Sequence, residues 1–317
     1  MSLLVTGGSG QLATALAQAR PNGTRVVGRP EFDFDRPETI GQMLRNHRPE
    51  MVVNAAAWTA VDAAEASPEA ADRANHTGPA SLALHCRAMG IPLVHISTDY
   101  VFDGCKGTPY VETDTVNPTQ VYGRTKLAGE RAVMAAHPEA AVLRTAWVYG
   151  RTGRNFVYTM LGAARRTTSL RVVADQLGCP TNADDLAAAV LAICDRLAAG
   201  APGLAGIMHL AGQGATSWHG FASAIFAEAG RHGWPVPDLQ AIATADWPTP
   251  ARRPADTRLD CSRAASLGVR LPPWQDSLRH AIAAICAAAP HINASLADAS
   301  RREAGPQNSA KHTLRVD

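Results

Sequence analysis

Long hydrophobic runs, aromatic side chains and an excess of one charge are all scarce in this sequence. The 317 residues contain no stretch of about 18 apolar residues, the length that a transmembrane helix needs, so no membrane span is expected. Aromatic residues make up 5% of the chain, and 30 Lys plus Arg nearly balance 28 Asp plus Glu. Nucleic-acid-binding proteins usually carry a clustered basic face, whereas these charges are interspersed. Nucleic acid is therefore not expected as a partner.

Cysteine is also scarce, and its spacing excludes two classes of protein. The six cysteines are far apart and form no CxxC pair, so neither a disulfide framework nor a zinc site is expected. The N-terminal sequence MSLLVTGGSG lacks the basic segment and apolar stretch of a secretory signal. With 46% hydrophobic residues, the composition predicts a globular cytoplasmic protein with reduced thiols.

Short apolar segments alternate with helical patterns over the first 150 residues. Apolar segments at 3–5, 25–27, 51–54, 92–97 and 141–144 predict strands, and the patterns at 11–20, 37–46, 70–89 and 122–136 predict helices. Continuous apolar strands alternating with helices indicate a parallel sheet covered on both faces. The sequence predicts the α/β class, with a doubly wound Rossmann domain over residues 1–150.

The second half is less regular. Helical patterns at 156–166, 183–199 and 218–230 are separated by proline-rich connections such as WPVP at 234–237. We expect a smaller α+β lobe that binds substrate, mainly over residues 151–287, with segments from about 180–215 returning to the first domain. Residues 288–317 are polar and aperiodic, which predicts a disordered tail.

A glycine-rich segment lies between the first predicted strand and the first predicted helix. It reads GGSGQLA over residues 7–13, and Gly7, Gly10 and Ala13 form a G-x-x-G-x-x-A pattern. Small residues permit a tight turn, and the exposed N–H groups at the helix N-terminus bind the negative charge of a pyrophosphate. The segment predicts dinucleotide binding, and the residues expected to contact the cofactor here are Gly7, Ser9, Gly10, Gln11 and Leu12.

The end of the second predicted strand bears on the choice of cofactor. An acidic residue at this position would bind the ribose 2′-hydroxyl of NAD, but the sequence has Arg29. A guanidinium can pair with a 2′-phosphate, which favours NADPH while leaving NADH possible. Asp33 and Phe34 follow, and we expect the carboxylate and the ring to contact the adenine.

A tyrosine and a lysine stand four residues apart on a predicted helix. The spacing of Tyr122 and Lys126 places both on one helix face. A nearby ammonium is expected to lower the pKa of the phenol, giving an acid that can donate to a developing alkoxide. Thr98 ends the fourth predicted strand, where open α/β sheets bind ligands, and its hydroxyl is expected to bind the substrate carbonyl.

Several longer segments resemble one enzyme family. The glycine loop and the Tyr-x-x-x-Lys pair are similar to the extended short-chain dehydrogenases/reductases that act on nucleotide sugars. Within them, the dTDP-4-dehydrorhamnose reductases match in several blocks along residues 1–287. The blocks are VNAAAWTAVDAAE (53–65), HISTDYVFDG (95–104), VYGRTKLAGE (121–130), LRTAWVY (143–149), DQLGCPT (175–181) and WPTPARRP (247–254).

The resemblance implies reduction of the C4 ketone of dTDP-4-dehydro-β-L-rhamnose to dTDP-L-rhamnose, for cell-envelope polysaccharide. Tyr122 would supply the proton, Lys126 would hold the nicotinamide ribose, and Thr98 would position the ketone. The cofactor would also contact the segment after the third strand, namely Ala55, Ala56, Ala57, Trp58 and Thr59. Asp99 and Trp147 would contact the sugar, and Asn155 and Arg253 would approach the nucleotide.

The sequence departs from this family in one respect. Some members have been linked to Mg²⁺ held by carboxylates, one of them on the helix after the glycine loop. That helix reads QLATALAQA over residues 11–19 and contains no acid. A Mg²⁺ site of this kind is therefore doubtful. A homodimer is possible, but no exposed face identifies one.

Four alternatives share this fold. A nucleotide-sugar 4,6-dehydratase would carry Asp and then Glu after the threonine, whereas this chain has Asp99 and then Tyr100. An epimerase, or another nucleotide-sugar 4-keto reductase, is less firmly excluded. Related chains also serve as NADP-binding regulatory subunits of methionine adenosyltransferase, which need no proton relay. The presence of Thr98, Tyr122 and Lys126 favours an enzyme.

Overall fold

A computed structural model describes the backbone of residues 1–302 and the side chains of residues 1–288. The strands are β1 (Leu3–Thr6), β2 (Thr24–Val27), β3 (Met51–Asn54), β4 (Leu93–Thr98), β5 (Ala141–Thr145), β6 (Val148–Tyr149), β7 (Ser169–Val173), β8 (Leu177–Gly178), β9 (Thr181–Asn182), β10 (Gly206–His209), β11 (Thr216–Ser217) and β12 (Asp238–Ile242). The helices are α1 (Gln11–Ala19), α2 (Glu38–His47), α3 (Val61–Ala66), α4 (Pro68–Asp72), α5 (Gly78–Ala88), α6 (Val121–Ala136), α7 (Phe156–Ala164), α8 (Ala183–Ala198), α9 (Trp218–Gly230), α10 (Ser262–Ser266) and α11 (Trp274–Arg302).

A six-stranded sheet forms the centre of the first part of the chain. Its strand order is β10-β5-β4-β3-β1-β2, and every neighbouring pair is parallel. Strands β1, β3 and β5 are buried along their whole length, which is why they read as continuous apolar runs. The predicted α/β class with a doubly wound parallel sheet is confirmed.

Helices cover both faces of this sheet. On one face, Leu16 of α1 and Val190 of α8 join Val5 and Val53 of the strands in one buried cluster. On the other face, α2, α5 and α6 contribute residues such as Leu44, Leu82 and Val133 to a second cluster. Both α8 and β10 come from residues 183–209, so this stretch of the second half packs against the first.

The second half builds a smaller apolar cluster of its own. Helices α7, α9 and α11 surround Phe221, Phe226 and Leu278, which are fully buried. Strands β7 and β12 pair in parallel beside it, and α9 packs on that pair. The domain boundary at residue 150 and the role of this lobe in binding substrate stay predictions.

The structure differs from the sequence prediction between residues 61 and 89. A single helix over 70–89 is predicted, but the chain forms α3, α4, a π-helical turn over Arg73–Thr77, and α5. Helix α11 extends to Arg302, into the segment 288–317 for which disorder is predicted, and residues 303–317 lie outside the described residues. Among the residues described, no helix has the length and apolarity to cross a membrane.

Candidate active site

One large cavity lies over the carboxyl ends of the central strands. Its volume is about 1890 Å³, and residues directly after β1, β3, β4 and β5 line its wall. Every residue that the sequence singles out lines this cavity: Gly7, Ser9, Gly10, Gln11, Leu12, Arg29, Asp33, Phe34, Ala55, Ala56, Ala57, Trp58, Thr59, Thr98, Asp99, Tyr122, Lys126, Trp147, Asn155 and Arg253. The structure therefore brings them together, while the role of each stays a prediction.

The glycine loop is shaped by close approaches between backbones. Gly7 has a φ of 113°, and a Cβ there would lie 3.0 Å from the carbonyl carbon and oxygen of Ala55. A Cβ on Gly28 would lie 2.9 Å from the Cα of Gly8. The loop leads into the N-terminus of α1, whose first turn has no acidic residue. This cradle of backbone N–H groups fits the pyrophosphate of a dinucleotide.

The segment after β3 is held by a buried asparagine that sequence reasoning missed. Asn75 lies in the π-helical turn, and its Oδ1 accepts from the Trp58 N–H at 2.8 Å. Its Nδ2 donates to the Trp58 carbonyl and to Thr125 Oγ1 of α6, both at 3.1 Å. Residues 55–59 are thus tied to the helix that carries Tyr122 and Lys126. No spacing in the sequence points to this contact, because it depends on the π turn.

Arg29 lies at the rim of the cavity and already has acidic partners. Its side chain is 71% exposed, with Nε 3.0 Å from Asp33 and Nη2 2.8 Å from Asp35. Arg73 also binds Asp35, at 2.7 Å. An exposed guanidinium beside the cavity can reach a 2′-phosphate, but two carboxylates compete for it. Asp33, predicted to contact the adenine, is one of these competitors.

Tyr122 and Thr98 meet where β4 ends and α6 begins. A Cβ on Gly123 would lie 2.1 Å from the Tyr100 carbonyl oxygen, so glycine at this position lets α6 approach β4. Burial raises the pKa of Tyr122, and contact with the Thr98 hydroxyl lowers it in part. The prediction that Lys126 lowers this pKa is not met, because desolvation dominates and the ammonium is directed elsewhere.

Lys126 is buried beneath Tyr122 on α6. Its Nζ donates to the Ile96 carbonyl of β4 at 2.6 Å. Burial lowers the pKa of Lys126 to about 8, while the nearby Glu130 carboxylate raises it. Glu130 is itself buried, and it binds Arg144 of β5 through two hydrogen bonds of 2.8 and 2.7 Å. The buried ion pair joins α6 to the sheet one turn beyond Lys126.

Asp99 is the buried carboxyl group nearest to Thr98. The Thr98 hydroxyl donates to its Oδ1 at 3.0 Å, and the Thr257 hydroxyl donates to its Oδ2. Burial raises the pKa of Asp99 to about 7, against the lowering effect of these hydrogen bonds. Thr257 comes from the C-terminal part of the chain and is absent from the sequence prediction, which had no signal for it.

Trp147 follows β5, and its partners in the cavity wall come from the second half of the chain. It has a φ of 46°, a left-handed conformation that is strained for a bulky residue. Its indole stacks on that of Trp218, with ring centroids 3.5 Å apart and planes at 7°. A Cβ on Gly178 would lie 2.4 Å from the Trp147 ring. The indole is therefore fixed between a second tryptophan, which the sequence reasoning missed, and a glycine.

Two residues predicted to approach the nucleotide have protein partners in this structure. Asn155 caps α7, and its Nδ2 donates to Gln11 Oε1 and to the Gly150 carbonyl, both at 3.0 Å. Arg253 binds Asp62 of α3 at 2.7 Å. Both pairs link the first half of the chain to the second across the cavity. The Asn155 amide uses both of its N–H groups in these contacts, whereas the contact with Asp62 uses one of the five N–H groups of Arg253.

Carboxylate, imidazole and thiol groups are the side chains that would hold a metal ion in this protein. Among the residues that the structure describes, no three His, Cys, Asp or Glu side chains are grouped to hold one. Helix α1 contributes no acid.

Comparisons with known proteins agree with this geometry. The family model described as the RmlD substrate binding domain matches residues 1–286. A dTDP-4-dehydrorhamnose reductase from Sinorhizobium fredii (strain NBRC 101917 / NGR234) is 46% identical over 289 residues, which cover 90% of this chain and 98% of that protein.

Two solved structures share the fold over nearly their whole length. A dTDP-4-dehydrorhamnose reductase from Clostridium acetobutylicum ATCC 824 is 34% identical, with a TM-score of 0.84 over 90% of this chain and 99% of that one. The enzyme from Bacillus anthracis str. Ames, in complex with NADP, is 30% identical, with a TM-score of 0.82 over 89% and 99%. The relatives described above are dTDP-4-dehydrorhamnose reductases. From the family model and these relatives, the chain belongs to the RmlD substrate binding domain family.

Proposed function

We propose that this protein is an NADPH-dependent oxidoreductase that reduces the C4 ketone of dTDP-4-dehydro-β-L-rhamnose to dTDP-L-rhamnose. The observation that carries the proposal is the convergence of Thr98, Tyr122 and Lys126 in a cavity that also contains the glycine loop. The relatives are reductases of this substrate by name, and one of them binds NADP. A regulatory subunit would not require this convergence.

The chain's own residues account for cofactor binding. Gly7, Ser9, Gly10 and Gln11 line the cavity at the N-terminus of α1, where a pyrophosphate would bind, and residues 55–59 line the neighbouring wall. Arg29 at the rim favours a 2′-phosphate, which supports NADPH. When bound, the reduced nicotinamide supplies the hydride for C4 of the sugar.

Tyr122 is the proton donor to the oxygen of C4. A tyrosine is protonated at neutral pH, and burial raises the pKa of Tyr122 further, so its phenol carries a proton for an oxygen that gains negative charge. Thr98 provides a second hydroxyl for the same oxygen. Lys126 lies one helical turn from Tyr122 with its Nζ on the Ile96 carbonyl, and it is the residue that would hold the nicotinamide ribose.

The indole of Trp147 gives the sugar an apolar wall. It is held rigidly by Trp218, so a sugar ring placed against it keeps one orientation relative to Tyr122. Asn155 acts on the nucleotide through the position of the segment that it anchors, and Arg253 approaches the nucleotide with the N–H groups that Asp62 does not bind. The cytoplasmic location and the homodimer stay predictions.

The direct test is turnover with enzymatically generated dTDP-4-dehydro-β-L-rhamnose. We expect absorbance of NADPH to fall in proportion to dTDP-L-rhamnose identified by mass spectrometry and NMR. Tyr122→Phe is expected to lower kcat by about 10²- to 10⁴-fold, the usual contribution of a general acid. Tyr158→Phe, on a tyrosine of α7 outside the cavity wall, is the matched control. Binding of NADPH without oxidation in the unmodified protein would contradict the proposal.

A further inference from the structure

A chain of polar side chains leads from Tyr122 into the interior of the protein. The Tyr122 phenol touches the Thr98 hydroxyl, which donates to Asp99 Oδ1 at 3.0 Å. The other oxygen of Asp99 accepts from Thr257. Thr257 is 2% exposed and lies behind the cavity wall, so it touches neither substrate nor cofactor. Nothing in the proposed reaction explains why a buried hydroxyl holds this carboxyl group.

The single hydrogen of the Thr98 hydroxyl can be donated either to Asp99 Oδ1 or to the ketone oxygen of a bound substrate. In this structure it is donated to Asp99, while Thr98 Oγ1 accepts from the Tyr100 N–H at 3.2 Å. An ionised Asp99 can only accept hydrogen bonds, so it retains this hydrogen. Thr98 then presents only a lone pair to the cavity. A ketone oxygen that gains negative charge needs a donor instead.

Protonation of Asp99 reverses this arrangement, and Thr257 determines where the proton binds. Both oxygens of Asp99 accept a hydroxyl in this structure, but only Thr98 lines the cavity and has the substrate ketone as a second acceptor. When Thr98 turns to the ketone, Thr257 still donates to Oδ2, so a proton taken up from solvent binds to Oδ1. Oδ1 is the oxygen that faces Thr98, so the carboxylic acid donates to Thr98 Oγ1. The hydrogen of Thr98 is then free for the substrate ketone.

We propose that Asp99 and Thr257 are positioning residues that set the direction of the Thr98 hydroxyl, so that Thr98 donates to the ketone only when Asp99 carries a proton. This inference rests on the proposed reductase function and deepens it. It also assigns Asp99 a different role from the sugar contact that the family resemblance implies.

Asp99 and the ionisable groups that face it differ in pKa, and among them Asp99 is the group that titrates near neutral pH. Those that face it are Tyr100, Tyr122 and Cys179. Burial raises the pKa of Tyr100 to about 12 and that of Cys179 to about 11, and it also raises the pKa of Tyr122. All three stay neutral at pH 7, whereas the pKa of Asp99 is about 7.

The test is the pH dependence of kcat, which reports groups in the enzyme–substrate complex. In the unmodified protein, kcat is expected to fall as pH rises through about 7, with a second fall near pH 8 where Lys126 loses its proton. Asp99→Asn, whose amide can donate to Thr98 at any pH, is expected to lack the first fall and to keep the second.

Thr257→Val removes one hydrogen bond to the ionised carboxylate while keeping the size of the side chain. The first fall should then move up by about one pH unit, which corresponds to one such hydrogen bond. The plateau at low pH should also drop, because the proton can now bind to Oδ2. Thr257→Ser, which restores the hydroxyl, should restore both features. The melting temperature and NADPH affinity of each variant verify that it is folded.

Two results would overturn the assignment. One is a Thr257→Val profile that coincides with that of the unmodified protein. The other is an Asp99→Asn variant whose KM for the sugar nucleotide rises while its pH profile is unchanged, since a direct sugar contact predicts that result. Both results can be obtained while the unmodified protein still reduces the substrate, so they are distinct from a failure of the proposed function. If the unmodified protein does not oxidise NADPH with this substrate, the proposed function itself fails first.

Discussion

Two buried ionisable side chains in the cavity wall destabilise the fold in opposite pH ranges. The pKa of Asp99 is raised to about 7 in the folded protein, so ionising it there is costly. Its burial therefore destabilises the fold above pH 7 and not below the pKa of the unfolded chain, about 4. The pKa of Lys126 is lowered to about 8. Its burial destabilises the fold below pH 8, and this cost disappears as pH rises towards about 10.5.

Asp99→Asn should therefore stabilise the protein in a pH-dependent way. At pH 8 we expect a gain on the order of 2–4 kcal/mol in the free energy of unfolding, because a buried charge is removed. At pH 4 the gain should shrink to below about 1 kcal/mol, since the folded carboxyl is then protonated. Urea unfolding at both pH values measures the difference. Asp238→Asn, at an exposed carboxylate, should change neither value, and an equal gain at both pH values would contradict the argument.

Arg29 allows a prediction about the cofactor. Arg29→Ala removes the guanidinium at the cavity rim, so KM for NADPH should rise by about tenfold, the loss of one charge-assisted hydrogen bond. KM for NADH, which has no 2′-phosphate, should stay within about twofold. Steady-state assays with both cofactors measure the ratio. A ratio equal to that of the unmodified protein would show that Asp33 and Asp35 keep Arg29 away from the phosphate.

At this scale the sequence predicts residue identities better than their partners. Thr98 and Tyr122 could be identified because strand ends and helix spacing are local features. The pairing of Arg253 with Asp62 could not, because 191 positions separate them and only the approach of the two halves brings them together. The same holds for Thr257 and Asp99, which are 158 positions apart.

Among the elements, helix α6 packs against the irregular π-helical turn over Arg73–Thr77. It packs against the π-helical turn so closely that a Cβ on Gly129 would lie 1.9 Å from the Asn75 carbonyl oxygen. The turn widens the helix locally so that Asn75 can reach Trp58 and Thr125. Periodicity predicts a continuous helix over 70–89 because a π turn has no sequence pattern of its own. Strands β1 to β5 were predicted to within one residue at each end, and β1, β3 and β5 read as continuously apolar because they are buried along their whole length. The sixth strand of the sheet, β10, and the short strands of the second half were not predicted.

Gly129→Ala tests this packing. Alanine normally stabilises a helix interior by about 1 kcal/mol over glycine. Here we expect a loss of about 2 kcal/mol or more, since the methyl group overlaps a backbone oxygen that cannot move freely. Gly162→Ala in α7 is the control, because its Cβ would meet only the end of the Arg166 side chain, at 4.0 Å. It should stabilise. Thermal unfolding of the two variants measures the opposite signs, and two gains would contradict the packing argument.

For the whole molecule, two polar links join the halves of the chain across the cavity. Gln11 beside the glycine loop binds Asn155 at the start of α7. Asp62 accepts from Arg253 at 2.7 Å and from the Ala251 N–H at 3.0 Å, which fixes the segment carrying Trp247 and Thr249 of the cavity wall. Both members of the Asp62–Arg253 pair are mostly buried, so removing one leaves the other poorly solvated.

Asp62→Ala should release that segment without touching the cofactor side. We expect KM for the sugar nucleotide to rise by about tenfold or more, with Kd for NADPH unchanged, because a buried charge pair is broken. Glu139→Ala removes the exposed partner of Arg87 and should alter neither constant. Fluorescence titration with NADPH and steady-state kinetics measure the two quantities. An equal weakening of both ligands would mean that Asp62 supports the fold as a whole.

The return of residues 183–209 to the central sheet affects how the protein can be made. During translation, β5 leaves the ribosome before β10 exists, so one edge of the sheet stays open and α1 lacks the apolar cover that α8 later gives. Open strand edges and uncovered apolar faces are sites of aggregation. The core of the first half is therefore complete only after the ribosome has synthesised the chain as far as His209, the end of β10.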